Sequence, residues 1–391
     1  MEHGGVLNCI SNDGNTLISD DKYIWSQGRW LYIMSELIAR RSLLRPSDYE
    51  KVLQSAELTA AFLIEHSFDS KGQSVFITER DGSWIRNPDG EYHMSVYADC
   101  FIIIGLASYA SVTGCSKSRD TVLFLIRSLE ERVADGHMPT APYGIPEGFE
   151  SHGIPMILSN VFGTAAGMLE SFREDSSALR EHQQRCISYI LSRFYDTELG
   201  LVHEYWSAPG NDDTLLCRHI NPGHVLEDAW FWLDGFESRH EVPVYSDRIS
   251  SIIKDTYYLA WDREYGGLLR FIDENGGKPC GRLIGDGYEE LVLSTWDMKL
   301  WWPHSEMLYL FLRMYSITGD KEYIQMYETV RGYSFSVFPS PDNGEWNQIR
   351  TRDGSPEDRV VALPVKDPFH ILRDFIRIID LAEVAYADNE C

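Results

Sequence analysis

The sequence is poor in positive charge and has no long apolar run. Its 391 residues include 35 lysines and arginines against 60 aspartates and glutamates, for a formal net charge of −25. A surface this acidic repels phosphate backbones and anionic lipids, so we expect neither a nucleic acid nor a membrane as partner. No stretch approaches the roughly 20 apolar residues that cross a bilayer. Residues 1–15 also lack the basic and apolar segments of a secretory signal, which favours a cytoplasmic protein.

Cysteine pairs and the common cofactor motifs are missing as well. The seven cysteines are scattered, odd in number and never spaced as CxxC, so the sequence predicts neither a disulfide framework nor a zinc site. It contains no glycine-rich nucleotide loop, no HExxH zinc motif and no GxSxG nucleophile motif. We therefore expect the protein to use no metal and no cofactor.

What the sequence does contain is a recurring turn-rich segment. Each copy has an acidic or glycine-rich turn, a few residues of β character and, in most cases, a second polar turn with glycine. A weaker copy at residues 136–148 falls in the longest gap between the clear ones, so the basic period is about 65 residues. The clear copies start 66, 127, 66 and 80 residues apart, at Glu2, Phe68, Tyr195, Trp261 and Pro341.

The sequence between these segments predicts helices, because apolar residues recur there at three- and four-residue spacing. Two helices and a hairpin-like loop fill one period, and six such units form an all-α fold, the (α/α)6 barrel. We expect one such domain over residues 1–391, since no linker divides the chain. The predicted helices cover 31–43, 49–66, 98–112, 119–134, 155–173, 178–194, 226–237, 251–260, 305–317, 321–338 and 368–385.

The start of the chain is unusual for such a barrel. The first loop copy begins at residue 2, with no room for the helix that should precede it. We therefore expect the first helix of the barrel to be absent from this chain, or to lie upstream of Met1.

The first segment with candidate chemistry surrounds a turn at residues 221–223. A helix is predicted to begin near His224, with Glu227 one turn later on the same face. Histidine at such a position can act as an acid or base near neutral pH. The alternative is a histidine that caps the helix or binds a backbone carbonyl.

The second segment places Lys299, His304 and Glu306 within eight residues, beside Trp302. Aromatic faces cover the apolar side of a pyranose ring, while charged side chains bind its hydroxyls. The segment therefore indicates a sugar site. The alternative is an aromatic core in which Glu306 belongs to an internal ion pair.

The third segment opens the last predicted helix with His370, and Arg373 follows one turn later. Near the other end of the chain, Arg29 stands at the beginning of another helix. Taken alone, each has an ordinary structural alternative, as a helix-capping histidine or a surface arginine.

Together these segments resemble the N-acylglucosamine 2-epimerase family. The stretch WDMKLWWPHSE at 296–306 looks like the family signature. Three other stretches resemble further family motifs: NPGHxxExxW at 221–230, WSQGR at 25–29 and FHxxR at 369–373. The resemblance covers nearly the whole chain. It implies an (α/α)6 barrel with the site in the barrel mouth, and either C2 epimerisation of a sugar or aldose–ketose isomerisation.

The resemblance also implies roles for individual residues. His224 and His370 would be the two proton-transfer histidines, and Glu306 the catalytic glutamate. Arg29 and Arg373 would bind the substrate. A pair of histidines on opposite walls of the barrel would serve the two faces of a planar enediolate.

Four further residues are candidates for substrate binding because their side chains are charged, polar or aromatic: Glu227, Lys299, Trp302 and His304.

The sequence differs from the family's N-acetyl-sugar epimerases in two segments that would bind the substrate. Residues 365–370 replace a Gly- and Lys-rich run, and the loop at 268–293 is long. Some family isomerases carry a further histidine on the middle inner helix, and residues 154–160 contain none, which favours an epimerase.

We therefore predict a sugar 2-epimerase that interconverts N-acylglucosamine and N-acylmannosamine, or a related aldose pair. The alternatives are an aldose–ketose isomerase, a carbohydrate hydrolase and a non-catalytic sugar- or protein-binding member. The expected partner is a small sugar, and the family suggests a homodimer.

Overall fold

The helices follow the predicted pattern closely. The computed structural model describes residues 3–11, 14–88, 90–340, 345–357 and 364–390, so the predicted loop starts at Glu2 and Pro341 lie outside the described residues. In chain order, the helices of the described residues are α1 (Ile24–Ala39), α2 (Pro46–His66), α3 (Val96–Thr113), α4 (Ser116–Ala134), α5 (Gly153–Ser171), α6 (Ser177–Arg193), α7 (Leu215–Arg218), α8 (Pro222–Glu237), α9 (Val242–Ala260), α10 (Gly287–Thr295), α11 (Trp301–Thr318), α12 (Lys321–Val337) and α13 (Phe369–Glu390).

Short strands occupy the loops where β character was predicted. They are β1 (Cys9–Ile10), β2 (Leu17–Ser19), β3 (Lys22–Tyr23), β4 (Ile77–Thr78), β5 (Phe149–Ser151), β6 (Tyr195–Asp196), β7 (Leu201–Val202), β8 (Tyr205–Ser207), β9 (His219–Ile220), β10 (Ile272–Asp273), β11 (Lys299–Leu300) and β12 (Ile349–Arg350). They form six antiparallel pairs, namely β1–β2, β3–β4, β5–β8, β6–β7, β9–β10 and β11–β12.

Two concentric layers of helices make the barrel. Helices α1, α3, α5, α8, α11 and α13 each contact the next one and form the inner ring, while α2, α4, α6, α9 and α12 lie outside it. Every strand precedes an inner helix in the chain, so the strand-bearing loops gather at the N-terminal ends of the inner helices. The predicted (α/α)6 barrel with long loops of β character is confirmed.

Helix α3 shows why inner helices are apolar on every face. By length and composition alone it could cross a membrane, yet most of it is buried inside the protein. It packs against α1, α5 and α4. A helix surrounded by other helices needs no polar face, so the barrel core explains this apolar run.

The predicted gap at the start of the barrel does not interrupt the inner ring. Of the thirteen helices of the described residues, six line the inside, five lie outside, and the short α7 and α10 belong to the strand-bearing loops. The inner ring is nevertheless closed, because α1 contacts α13 directly: the rings of Tyr32 and Phe369 lie 5.2 Å apart, and Arg40 pairs with Asp380 at 2.6 Å. The described inner helices therefore form a complete wall around the barrel interior.

Helices α1 and α3 approach each other most closely at two glycines. A Cβ atom at Gly105 would lie 2.5 Å from the carbonyl oxygen of Gly28, and one at Gly28 would collide with the backbone of Phe101. These contacts are with backbone atoms, which cannot move aside as the end of a flexible side chain can. The glycine pair thus sets the distance between the two helices.

We expect Gly105→Ala to lower the free energy of unfolding by about 1–3 kcal/mol, because the added methyl group overpacks the helix contact. Gly332→Ala is the matched control: it also lies within a helix, but nothing lies within 4 Å of its added Cβ. It should be neutral or slightly stabilising, by up to about 1 kcal/mol. Denaturant unfolding of both variants tests this, and equal midpoints would refute the packing role.

Candidate active site

The barrel mouth holds two adjoining cavities of about 300 and 210 Å³. Trp302 and His370 line the larger cavity only, and Glu204 and Arg373 line the smaller cavity only. Six of the nine predicted site residues therefore line this space, whereas Glu306, Lys299 and His304 do not. The walls that the two cavities share are formed by Trp25, Arg29, Pro142, Tyr143, His224, Glu227 and Tyr288.

His370, at the start of α13, is held by Glu306 of α11. Its Nδ1 lies 2.7 Å from Oε1 of Glu306. Nη2 of Arg373 also lies 3.2 Å from Nδ1, but the contact with Glu306 is the shorter one. Since a carboxylate can only accept, we assign the ring proton to Nδ1, which leaves Nε2 with its lone pair. Among the described residues no hydrogen-bond partner lies against Nε2. Burial lowers the pKa of His370 to about 3, so the imidazole is neutral near pH 7 and can accept a proton.

Arg373 joins the carboxylates behind His370. Its Nη2 donates to Oε1 of Glu227 at 2.6 Å and to Oε1 of Glu306. The indole Nε1 of Trp230 donates to the other oxygen of Glu306 at 2.8 Å. Burial alone would lower the pKa of Arg373, but the two carboxylates raise it well above its usual range. We call His370, Glu306, Arg373 and Glu227 the His370 cluster.

The His370 cluster contains a possible metal-binding geometry. Ligand atoms of Glu227, Glu306 and His370 all lie within 4.8 Å of one another. The guanidinium of Arg373 already contacts both carboxylates, so a cation is present in the cluster as a side chain. A divalent ion would have to displace it, and the donor set therefore fits the arginine better than a metal.

His224, at the start of α8, has a carboxylate partner of its own. Its Nδ1 lies 3.0 Å from both oxygens of Glu204, which precedes β8. Burial would raise the pKa of Glu204, but the imidazoles around it hold that pKa well below its usual value. The carboxylate is therefore ionised and accepts from Nδ1, which leaves Nε2 of His224 without a partner in the described part of the chain.

Trp302 lies between the two histidines. Its ring centroid is 5.8 Å from that of His224 and 5.2 Å from that of His370. A Cβ at Gly223 would lie 2.5 Å from the indole, so this glycine of the NPG turn admits the ring. The histidines thus belong to α8 and α13, which are separated by α11 alone. The predicted placement on opposite walls is wrong: both flank one aromatic surface.

Arg29 faces the same space from α1. Its guanidinium lies 4.2 Å from the ring centroid of Phe101 and 4.9 Å from that of Phe369. Nη1 donates to Asp367 at 3.2 Å, while the buried Nε has no partner among the described residues. An arginine held by aromatic rings on a cavity wall is a rigid donor for a substrate oxygen.

Two of the predicted substrate-binding residues are not in the cavity. The side chain of Lys299 is fully buried, and its Nζ pairs with Asp262 at 3.0 Å. His304 is also fully buried: Nδ1 donates to the carbonyl of Leu300 at 2.6 Å, and Nε2 accepts from the backbone of Leu268 at 3.0 Å. With every polar atom engaged inside the protein, Lys299 and His304 have no group left for a sugar. Their roles are structural.

Sequence reasoning missed Glu204 and Asp367, the carboxylates that hold His224 and Arg29. Glu204 belongs to the loop copy that begins at Tyr195, and Asp367 directly precedes the FH motif. Their positions next to predicted features are the only local signal for a role in the site. This signal is weak, because the chain contains 60 acidic residues.

The fold and the site together define a class of protein. Two histidines line one cavity beside the indole of Trp302, inside an (α/α)6 barrel, and a pair of imidazoles suits an isomerase that moves a proton. The sequence model described as N-acylglucosamine 2-epimerase (GlcNAc 2-epimerase) matches residues 5–373. The chain belongs to this family, as the motifs indicated.

Known relatives agree with this assignment. The N-acylglucosamine 2-epimerase of Bos taurus is 28% identical over 383 residues, which cover 95% of this chain and 84% of the relative. The Mus musculus enzyme of the same name is 27% identical over 381 residues, with the same coverage of 95% and 84%. The predictions of an isomerase and of a sugar 2-epimerase are confirmed.

Solved structures show the same fold. The cellobiose 2-epimerase of Spirochaeta thermophila DSM 6192 superimposes with a TM-score of 0.75 at 18% identity, covering 98% of this chain and 92% of the other. A D-mannose isomerase superimposes with a TM-score of 0.71 at 14% identity, covering 96% and 92%.

Proposed function

We propose that this chain interconverts N-acylglucosamine and N-acylmannosamine, or a closely related aldose pair, by removing the C2 proton and returning it to either face. One observation carries the proposal: His224 and His370 line one cavity, and each has Nδ1 on a buried carboxylate and Nε2 without a partner. The names of the relatives support an N-acyl hexosamine as substrate.

The reaction begins with the open-chain aldehyde, because only there is the C2 proton adjacent to a carbonyl. Its removal places negative charge on the aldehyde oxygen. Arg29 is the donor we assign to that oxygen, since its guanidinium is fixed by Asp367 and by the surrounding rings. A preorganised donor of this kind stabilises the charge as it develops.

The histidines then act as a pair of acid–base groups. The neutral His370 removes the proton from one face of C2, and the protonated His224 returns one to the other face; the reverse reaction exchanges their roles. Glu306 and Glu204 stabilise the imidazolium that forms beside each of them. Acid–base catalysis by one positioned histidine typically contributes 10²–10⁴-fold.

The remaining cavity residues bind the sugar. The indole of Trp302 covers an apolar face of the chain or ring, as aromatic rings do in sugar sites. Glu227 and Arg373 offer an acceptor and donors for hydroxyl groups at the cavity wall.

Proton NMR in D₂O tests the proposal. The enzyme is incubated separately with N-acetylmannosamine, N-acetylglucosamine, mannose, glucose and fructose. We expect deuterium at C2 and the matching epimer with the N-acetyl sugars. The His224→Ala/His370→Ala double variant is the control and should give neither signal.

Other products would contradict the proposal. A ketose would mean that the proton returns to C1, as in an aldose–ketose isomerase. Release of a free sugar from a glycoside with the uptake of water would indicate a hydrolase.

A further inference from the structure

Behind Glu204 lies a second buried pair that sequence reasoning did not single out. His152 immediately precedes α5, where its side chain makes no capping hydrogen bond, and Asp228 belongs to α8; both side chains are fully buried. Nε2 of His152 lies 2.8 Å from Oδ2 of Asp228, and its Nδ1 lies 3.8 Å from Oε2 of Glu204. Glu204 in turn binds His224. We call Asp228, His152, Glu204 and His224 the His224 network.

Two neighbouring members of the His224 network, His152 and Glu204, carry opposite charges. Burial would lower the pKa of His152, but the hydrogen bond to Asp228 and the nearby carboxylate of Glu204 raise it to about 9. His152 is thus a cation at neutral pH, and the pKa of Glu204 is held low. A buried charge persists only when it is paired in this way. The network therefore places a fixed imidazolium on the far side of the carboxylate that His224 uses.

Other titratable groups near the network add no charge at neutral pH. Burial raises the pKa of the surrounding tyrosines, lowers that of His219 and raises that of Cys186 to about 12. Glu227 directly precedes Asp228 in α8, and its charge is paired with that of Arg373. The tyrosines are Tyr97 on α3, Tyr205 on β8 and Tyr288 on α10.

We propose that His152 and Asp228 are positioning residues for the epimerase: they hold Glu204 in place against Nδ1 of His224 and share its negative charge, so that His224 can both gain and release a proton. A carboxylate with no second partner would bind the protonated form of His224 too firmly for it to act as a base. The catalytic part of this inference rests on the proposed function; the electrostatic part does not.

The expected effect follows from the geometry. The ring centroids of His152 and His224 lie 6.5 Å apart. At an effective dielectric constant of about 20, loss of the His152 charge should raise the titration midpoint of His224 by about one to two pH units. The acidic limb of the kcat profile should move up by the same amount, with KM changed less than about twofold because His152 does not touch the cavity.

The experiment follows the imidazole Cε1–H signals by NMR during a pH titration, in the wild type, His152→Gln and the nearly isosteric Asp228→Asn. In the wild type, His152 should stay protonated beyond pH 8. Both variants should move the His224 midpoint upward, the second by less, because it removes the negative charge of Asp228 together with the positive charge that Asp228 stabilises on His152. His182→Gln is the matched control, because His182 pairs with Glu130 far from the network and should leave His224 unchanged.

The inference is overturned if His152 loses its proton below pH 7 in the wild type. It is also overturned if both variants keep their thermal unfolding transitions and leave the His224 midpoint where it was. These signals need no substrate. If the midpoint moves but none of the sugars is converted, the network is established and the proposed function alone fails.

Discussion

Replacing His370 with asparagine is expected to lower kcat by about 10²–10⁴-fold without unfolding the protein. Asparagine retains a donor for Glu306 at nearly the position of Nδ1, but it has no basic nitrogen in place of Nε2. Since burial lowers the pKa of His370 to about 3, the wild-type ring is a neutral base near pH 7, and the variant loses that base outright. Initial rates of epimer formation by NMR measure the loss.

Exchange with solvent makes this test sharper. In the His370→Asn variant, His224 can still remove the C2 proton that points toward it, so one of the two epimers should incorporate deuterium without forming the other. His224→Asn should show the same behaviour with the opposite epimer. The exposed His137 provides the control variant, His137→Asn, with unchanged rates. Loss of exchange with both epimers in each single variant would argue against one base for each face.

The barrel could be predicted because its repeat is local. Helical periodicity and turn residues are both visible in short stretches of sequence, and a period of about 65 residues is enough to count the units. Closure of the ring is not local. The contact of Arg40 with Asp380 joins residues 340 positions apart, and the local sequence around neither residue predicts it.

The orientation of side chains limited the prediction of the site. On α11, Trp302 and Glu306 are four residues apart and share the inward face. The side chain of His304 is turned by about 200° around the helix axis from that of Trp302. It points toward the outer layer, where it packs on Tyr333 and Phe338. A motif shows which residues occur together, but the phase of the helix decides which of them reach the cavity.

The buried residues that support the catalytic histidines were the hardest part of the site to predict. His152 and Asp228 are 76 residues apart, and Glu204 comes from a third segment. Each looks ordinary alone, since acidic residues are frequent throughout this chain. The pairing of β5 with β8 places Glu204 beside His152, and the packing of α5 against α8 brings Asp228 to them.

Arg373→Met is expected to lower the free energy of unfolding by about 3–5 kcal/mol near pH 8, because it leaves buried carboxylates without their cation. The side chain of Arg373 is 2% exposed, and its Nη2 is shared by Glu227 and Glu306. Methionine preserves much of the volume, so the loss should come from charge rather than from a cavity. Denaturant unfolding at pH 8 measures the loss.

A second substitution separates charge from packing. The Glu227→Gln/Arg373→Met double variant lacks one of the two carboxylates, so its free energy of unfolding should be higher than that of Arg373→Met. If the single variant loses only packing, the double variant should instead be the less stable of the two. Arg45→Met, at a side chain that is 82% exposed, is the control and should change the unfolding free energy by less than about 0.5 kcal/mol. If Arg373→Met unfolds at the wild-type midpoint at pH 8, Arg373 does not stabilise the His370 cluster. Its place in the cavity would then have to be explained by substrate binding alone.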